Sequence, residues 1–191
     1  DGIVCHYPVM MERRYQEVCW EWELDTSYEL EFTDYKGLYS RDVNNYIAAK
    51  PDGSTKRKGT FADPGMMKNP QFVVVNDAIA NFLVDGTSPE QTVSACDDIK
   101  KFLMVRTVTG GATWQGDYLG KAVRFYYSSE IDPEIHILYN SQKKMGHRVP
   151  ISGGARPLMD LPDKMPTDID RKRYVQMAYD GPGRGGVRIG A

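Results

Sequence analysis

Tyr39-Ser-Arg-Asp-Val-Asn-Asn-Tyr-Ile-Ala48, running on through Pro51-Asp-Gly-Ser54 to Lys56-Arg-Lys-Gly-Thr-Phe61, is the stretch whose reading decides the fold. Pro51-Asp-Gly-Ser54 joins a fixed φ, a side chain that bonds its own backbone and a glycine free to take positive φ, which together specify a turn. Val43 to Lys50 and Lys56 to Phe61 are then the arms of an antiparallel hairpin. One strand offers Arg41, Asn44, Asn45 and Tyr46; the next brings Lys56, Arg57 and Lys58 alongside. Cations of this kind neutralise phosphates, and the amides and phenol reach sugar and base edges. The same charges also suit a hairpin that simply faces water.

Working outward, residues 2–10 read as a short buried strand closed by Pro8. Met11, Tyr15, Val18 and Trp22 recur at helical spacing to about residue 24. Tyr28-Glu-Leu-Glu-Phe32 alternates as a half-buried strand does. Downstream, Phe72, Val75, Ile79 and Phe82 share a helical face that Gly86 ends. Ser88-Pro-Glu-Gln91 is a capping box with proline in the first turn, opening a helix to about residue 103. Gly110-Gly111 breaks the chain, and Tyr118 to Tyr127 fits helix or strand. Past residue 150 proline and glycine dominate, with a helix predicted over residues 168–179 and Asp168 as its N-cap. Gly181-Pro-Gly-Arg-Gly-Gly186 matches a dinucleotide-loop spacing, but no strand precedes it and it reads as a loose tail.

The 191 residues are 41% hydrophobic and 26% charged, enough to fold around a core. The net charge of −2 argues against a generic basic nucleic-acid binder, but the charge is segregated. Residues 1–35 hold nine acids against Arg13 and Arg14, whereas residues 36–68 hold seven cations against three acids. Cys5, Cys19 and Cys96 are odd in number and lack metal spacing, which fits a reduced, cytoplasmic protein. Together with His6, His136 and His147 they match no zinc motif. Trp20, Trp22 and Phe125-Tyr-Tyr127 have the faces to stack bases, but aromatics of this kind more often fill cores. No apolar run is long enough to span a bilayer.

The order of these segments resembles family-B DNA polymerases of phage and bacterial type, just downstream of their last catalytic motif. In that family an Asp-Thr-Asp turn leads into an apolar strand, a helix and a strand. A lysine- and tyrosine-bearing motif then touches the minor groove of the primer–template, and a Lys-Gly hairpin enters the helical thumb. The likeness covers nearly the whole chain and is sharp only over residues 39–61. The family's Lys-Lys before the tyrosine is Asn44-Asn45 here, so Tyr46 and Arg41 carry over best.

The resemblance implies an α+β chain, with the end of a palm-like antiparallel sheet and one packed helix over residues 1–65. A mainly helical thumb over 66–150 and an extended C-terminal segment over 151–191 would follow. It makes Asp1 the last aspartate of the catalytic turn, a ligand of Mg²⁺ in two-metal nucleotidyl transfer. The chain would then be a fragment, gripping primer–template DNA while upstream domains hold the deoxynucleoside triphosphate and the remaining catalytic groups. Alone it would not extend a primer. The alternative is a stand-alone DNA-binding or replication-accessory module without catalysis.

Overall fold

A computed structural model describes residues 3–65, 70–130, 133–139, 144–181 and 188–189. They fall into two compact units, residues up to 34 and residues from 35 onward. The class is α+β, with antiparallel sheets and helices.

In the first unit, Pro8 leads into a 3-10 turn and helix α1 (Glu12–Thr26). Ser27 ends the helix in the left-handed region, its N–H donating to the Glu23 carbonyl. The two strands expected on either side are not formed: residues 3–8 and 28–35 carry no ladder. A strand needs a neighbour for its N–H and C=O groups, and neither segment finds one. They are tied to the helix by side chains instead. Tyr7 stacks on Tyr15 at 4.5 Å, Phe32 meets Tyr15 edge-on, and the Leu30 N–H donates to Glu23 Oε1 at 2.7 Å. No residue of α1 is buried, and Trp20 and Trp22 are exposed rather than core. Asp1 lies outside the described residues, and the strand expected to carry it, Ile3–Tyr7, is absent.

The second unit begins with a meander: β1 (Gly37–Asp42), β2 (Asn45–Ala49) and β3 (Thr55–Lys58). The turn at Pro51–Ser54 forms where the sequence placed it, with Gly53 at φ 83° and the Asp52 carboxylate accepting the Ser54 N–H at 2.8 Å. The stretch Tyr39–Ala48, however, is not one strand. Asp42 accepts the Asn44 N–H at 3.0 Å, and the resulting turn folds β1 back on β2 with Val43 exposed at its tip.

Helix α2 (Val73–Asp85) ends at Gly86, whose φ of 78° lets its N–H reach back to the Phe82 carbonyl. The capping box at Ser88 forms with both of its hydrogen bonds and opens α3 (Pro89–Ala95). That helix stops eight residues short of expectation. Asp98 instead caps a 3-10 turn over Ile99–Phe102, as aspartates that compete for backbone N–H groups do. The mainly helical segment expected to reach residue 150 also ends here.

From residue 104 the chain is β: β4 (Met104–Trp114), β5 (Asp117–Tyr127), β6 (His136–Tyr139), β7 (Lys144–Arg148) and β8 (Ala155–Pro157). They make a sheet of order β7-β6-β4-β5-β8. Gly110 and Gly111 do not break the chain. They form an irregularity within β4 at φ 92° and 86°, where the register shifts between Thr107 and Ala112. The Tyr118 ring lies over Gly111 so closely that a Cβ there would come within 2.4 Å of it. Helix α4 (Arg171–Asp180) is capped by Asp170, not Asp168. The last strand, β9 (Arg188–Ile189), pairs with β1, giving the small sheet the order β3-β2-β1-β9.

The core joins α2, the 3-10 turn, β5 and α4 through Phe72, Phe102, Phe125, Tyr127 and Tyr174. Tyr174 is fully buried, its ring edge-on to Phe102 at 5.1 Å and to Phe72 at 5.4 Å. Its hydroxyl accepts the Tyr127 N–H at 2.8 Å and donates to the Phe102 carbonyl at 2.9 Å. One phenol thus satisfies two main-chain groups from two other elements. Asp168 is a second hub, accepting from Tyr126 Oη, Ser128 Oγ and Arg156 Nη1 at 2.8 to 3.0 Å.

Replacing Tyr174 by Phe strands a buried N–H and a buried C=O, so a loss of about 2 kcal/mol is expected in urea unfolding. A loss under about 0.5 kcal/mol would contradict the two bonds.

Burial, then the bond to Asp168, pushes the Tyr126 phenol from 10.0 up to about 12. A proton held more tightly in the folded state stabilises below the unfolded value and is lost above it. Thermal stability should therefore fall as pH rises from 10 towards 12, and Tyr126→Phe should flatten that fall.

Candidate nucleic-acid interface

Register fixes what the hairpin presents. Tyr46 stands opposite Lys58, Ile47 opposite Arg57, Ala48 opposite Lys56 and Ala49 opposite Thr55. Directly opposed residues share a face and successive ones alternate, so two sets separate. Ile47 and Arg57 share one face with Tyr39, which stands opposite Ile47 on the other side. Ile47 is fully buried and Tyr39 packs against the core, so this face looks inward. Tyr46, Lys56 and Lys58 share the opposite face with Ser40, and both lysines are exposed.

The inward position explains Arg57. Its Nη1 meets Asp77 Oδ1 at 2.6 Å, and its Nε donates to Thr55 Oγ1 at 3.2 Å. Lys101 meets the other oxygen, Asp77 Oδ2, at 2.8 Å, and that bond raises the lysine's pKa. Arg57 therefore pins β3 to α2, where Lys101 joins the turn after α3 to the same carboxylate, and Arg57 stands apart from the two lysines.

Asn45 is also engaged within the protein. Its Nδ2 donates to both Asp42 oxygens, at 2.7 and 2.9 Å, and its Oδ1 accepts from the Thr60 N–H and Oγ1, each at 2.7 Å. The Asn45 amide and the Asn44 N–H hold the Asp42 carboxyl below its ordinary range. The clip closes against Gly59, at φ 64°, where a Cβ would come within 2.1 Å of the Asn44 carbonyl oxygen. Lys58-Gly59 is thus a steric requirement: a side chain at 59 would collide with the turn that positions Asn45. Asn44 lies exposed in that turn.

Arg41 stands apart from the two lysines. Its Nε is 3.5 Å from Asp42 Oδ2, and it lines a cleft of about 940 Å³ with Thr60, Phe72, Asn76 and Met177. Of the residues expected to meet nucleic acid, the structure groups Tyr46, Lys56 and Lys58. It turns Arg57 and Asn45 to internal bonds and sets Arg41 at the cleft.

Sequence reading missed Asp77, Lys101, Asn76 and Thr60, which hold the hairpin in place. Asp77, the one charged residue in the run Val73–Val84, was the available signal, since a carboxylate there needs a partner. Asn76 donates from Nδ2 to the Thr60 carbonyl at 2.8 Å.

Among the described residues no three His, Cys, Asp or Glu side chains converge on a metal site, and Asp1 is not among them. No such set of carboxylates for Mg²⁺ is found among the described residues. Nor does any described helix have the length and apolarity to cross a membrane. Comparison with protein-family models, curated proteins and solved structures gave no match.

Gly59→Ala combines a left-handed φ with a backbone collision, so a loss above about 1 kcal/mol is expected in chemical denaturation. An unchanged midpoint would mean the 44–45 turn does not lie against position 59.

Proposed function

We propose that this chain grips duplex DNA through the outward face of the β1–β3 meander, as the C-terminal palm-and-thumb portion of a family-B-type DNA polymerase. The observation that carries the DNA reading is the sorting of three consecutive cations. Arg57 faces in to Asp77, whereas Lys56 and Lys58 face out beside Tyr46. Neither lysine has an ion-pair carboxylate among the described residues. A solvated face with no other task needs no such rigid backing. Here the clip at Asn45 and the ion pair at Arg57 fix the strand from which both lysines project.

The chemistry follows from the residue types. Two ammonium groups neutralise phosphates without reading sequence, and a tyrosine opposite Lys58 on the same face reaches sugar or the minor-groove edge, whose pattern is degenerate. Binding of that kind accepts any sequence, as a template-copying enzyme requires. The polymerase part of the proposal rests on the resemblance of residues 39–61 and on the order of the flanking segments. Asp1 and the Mg²⁺ it would bind in nucleotidyl transfer belong to that part alone.

The test is duplex affinity measured against salt. Lys56→Ala and Lys58→Ala should each weaken all sequences alike and lower the log–log slope by about 0.9. Arg57→Ala should leave the slope in place and lower stability instead. A slope unmoved by both lysine variants would return the hairpin to a surface that only meets water.

A further inference from the structure

The cleft of about 940 Å³ lies where the end of β1, the start of α2 and the end of α4 meet. Clefts of this size hold small ligands, on mostly apolar walls with a few polar groups that fix orientation. The apolar walls here are Phe72, Val75 and Met104, with Met177 from α4 and Ile151 from the loop before β8.

One polar side chain in these walls is buried with part of its bonding capacity unspent. Asn76 is 8% exposed, and its Nδ2 donates one hydrogen to the Thr60 carbonyl at 2.8 Å. Its second Nδ2 hydrogen and its Oδ1 have no partner among the described residues. A buried amide left with an unbonded donor and acceptor is destabilising, and a ligand that matches both removes the cost. The backbone around it is strained as well. Phe72 at φ 54° and Ile151 at φ 69° are two of the four non-glycine residues with positive φ among the described residues, and both line this cleft. Such strain collects at ligand sites.

The charged residues of the lining say what enters. Asp63 and Asp180, both exposed, stand against Arg41, whose Nε is 3.5 Å from Asp42 Oδ2. A phosphate drawn inside would meet two carboxylates, so the entering group is neutral. A flat heterocycle with a donor beside an acceptor satisfies the apolar walls and the Asn76 amide together. Adenine has that edge in N6 and N7, which an asparagine amide reads with two bonds, while apolar side chains take the faces of an unstacked base.

We propose that the cleft binds one unpaired base, adenine by preference, of the strand held at Lys56 and Lys58. Gly59 and Thr60 line the cleft and directly follow Lys58 in the chain, so the phosphate-binding face lies beside it. That the base belongs to a gripped strand rests on the DNA reading above. The fit of base to cleft does not, and free adenosine is the probe that separates the two.

Affinity at low salt is measured for a blunt duplex and for the same duplex with a single-stranded overhang of adenine or of thymine, alongside melting with and without adenosine. The adenine overhang should bind about tenfold tighter than the blunt duplex, and the thymine overhang only about threefold tighter. Met177→Trp fills the cleft and should bring all three DNAs to one affinity and abolish any rise in melting temperature that adenosine gives. Asn76→Asp keeps the size and the acceptor but loses both N–H donors, and should reduce the adenine gain to that of thymine. The wild type alone can refute the site, whether or not the variants fold: equal adenine and thymine overhangs with no stabilisation by adenosine would do so. An adenine gain that survives in Met177→Trp would also overturn it. Stabilisation by adenosine without an overhang gain would overturn the assignment to the gripped strand. If no duplex is bound at low salt while adenosine still stabilises, the DNA reading falls and the base site stands.

Discussion

Asp77 carries the architecture of the candidate interface. Its carboxylate, only 18% exposed, accepts Arg57 from β3 on one oxygen and Lys101 from the turn after α3 on the other. One anion therefore ties the hairpin, α2 and the entry to the large sheet. Partly buried pairs stabilise modestly when intact, but losing one partner is expensive because the remaining charges stay desolvated. Exposure of the Lys101 side chain to 41% reduces that penalty on its side. Period-two alternation does the rest: once Arg57 is turned to Asp77, Lys56 and Lys58 must face away.

The large sheet and α4 give this arrangement a rigid base. Tyr174 joins α4 to Phe102 and Tyr127 with one hydroxyl, and Arg171 adds bonds to the Val93 and Cys96 carbonyls at the end of α3. Arg171 also lies over the Phe102 ring at 5.1 Å. The end of the chain thus closes the core built by its middle. The hairpin rests on that core through Ile47 and Phe61, both fully buried.

How far these features were legible in the sequence depended on the range of the interactions behind them. Pro51–Ser54, Gly86 and the Ser88–Gln91 box follow from contacts within four residues, and each forms where it was read. The strands after residue 103 were obscured because Gly110-Gly111 looks like a break, and only the Tyr118 ring across the hairpin shows it to be a bulge. The segments around α1 have strand patterns, yet a pattern cannot supply a pairing partner. Within the candidate interface, composition marked the hairpin as cationic. It could not say that Arg57 and Asn45 would be bonded internally, since Asp77 and Thr60 lie 20 and 15 residues away in sequence.

Amine-reactive footprinting, read by mass spectrometry with and without a duplex, tests the central claim most directly. Lys56 and Lys58 lie on the proposed contact face, whereas Lys100, Lys121 and Lys172 are exposed elsewhere. Protection confined to Lys56 and Lys58 at low salt, and reversed by high salt, is the expected result. Equal labelling of Lys56 and Lys58 in the presence and absence of DNA, with the duplex bound, would contradict the claim that this face holds it.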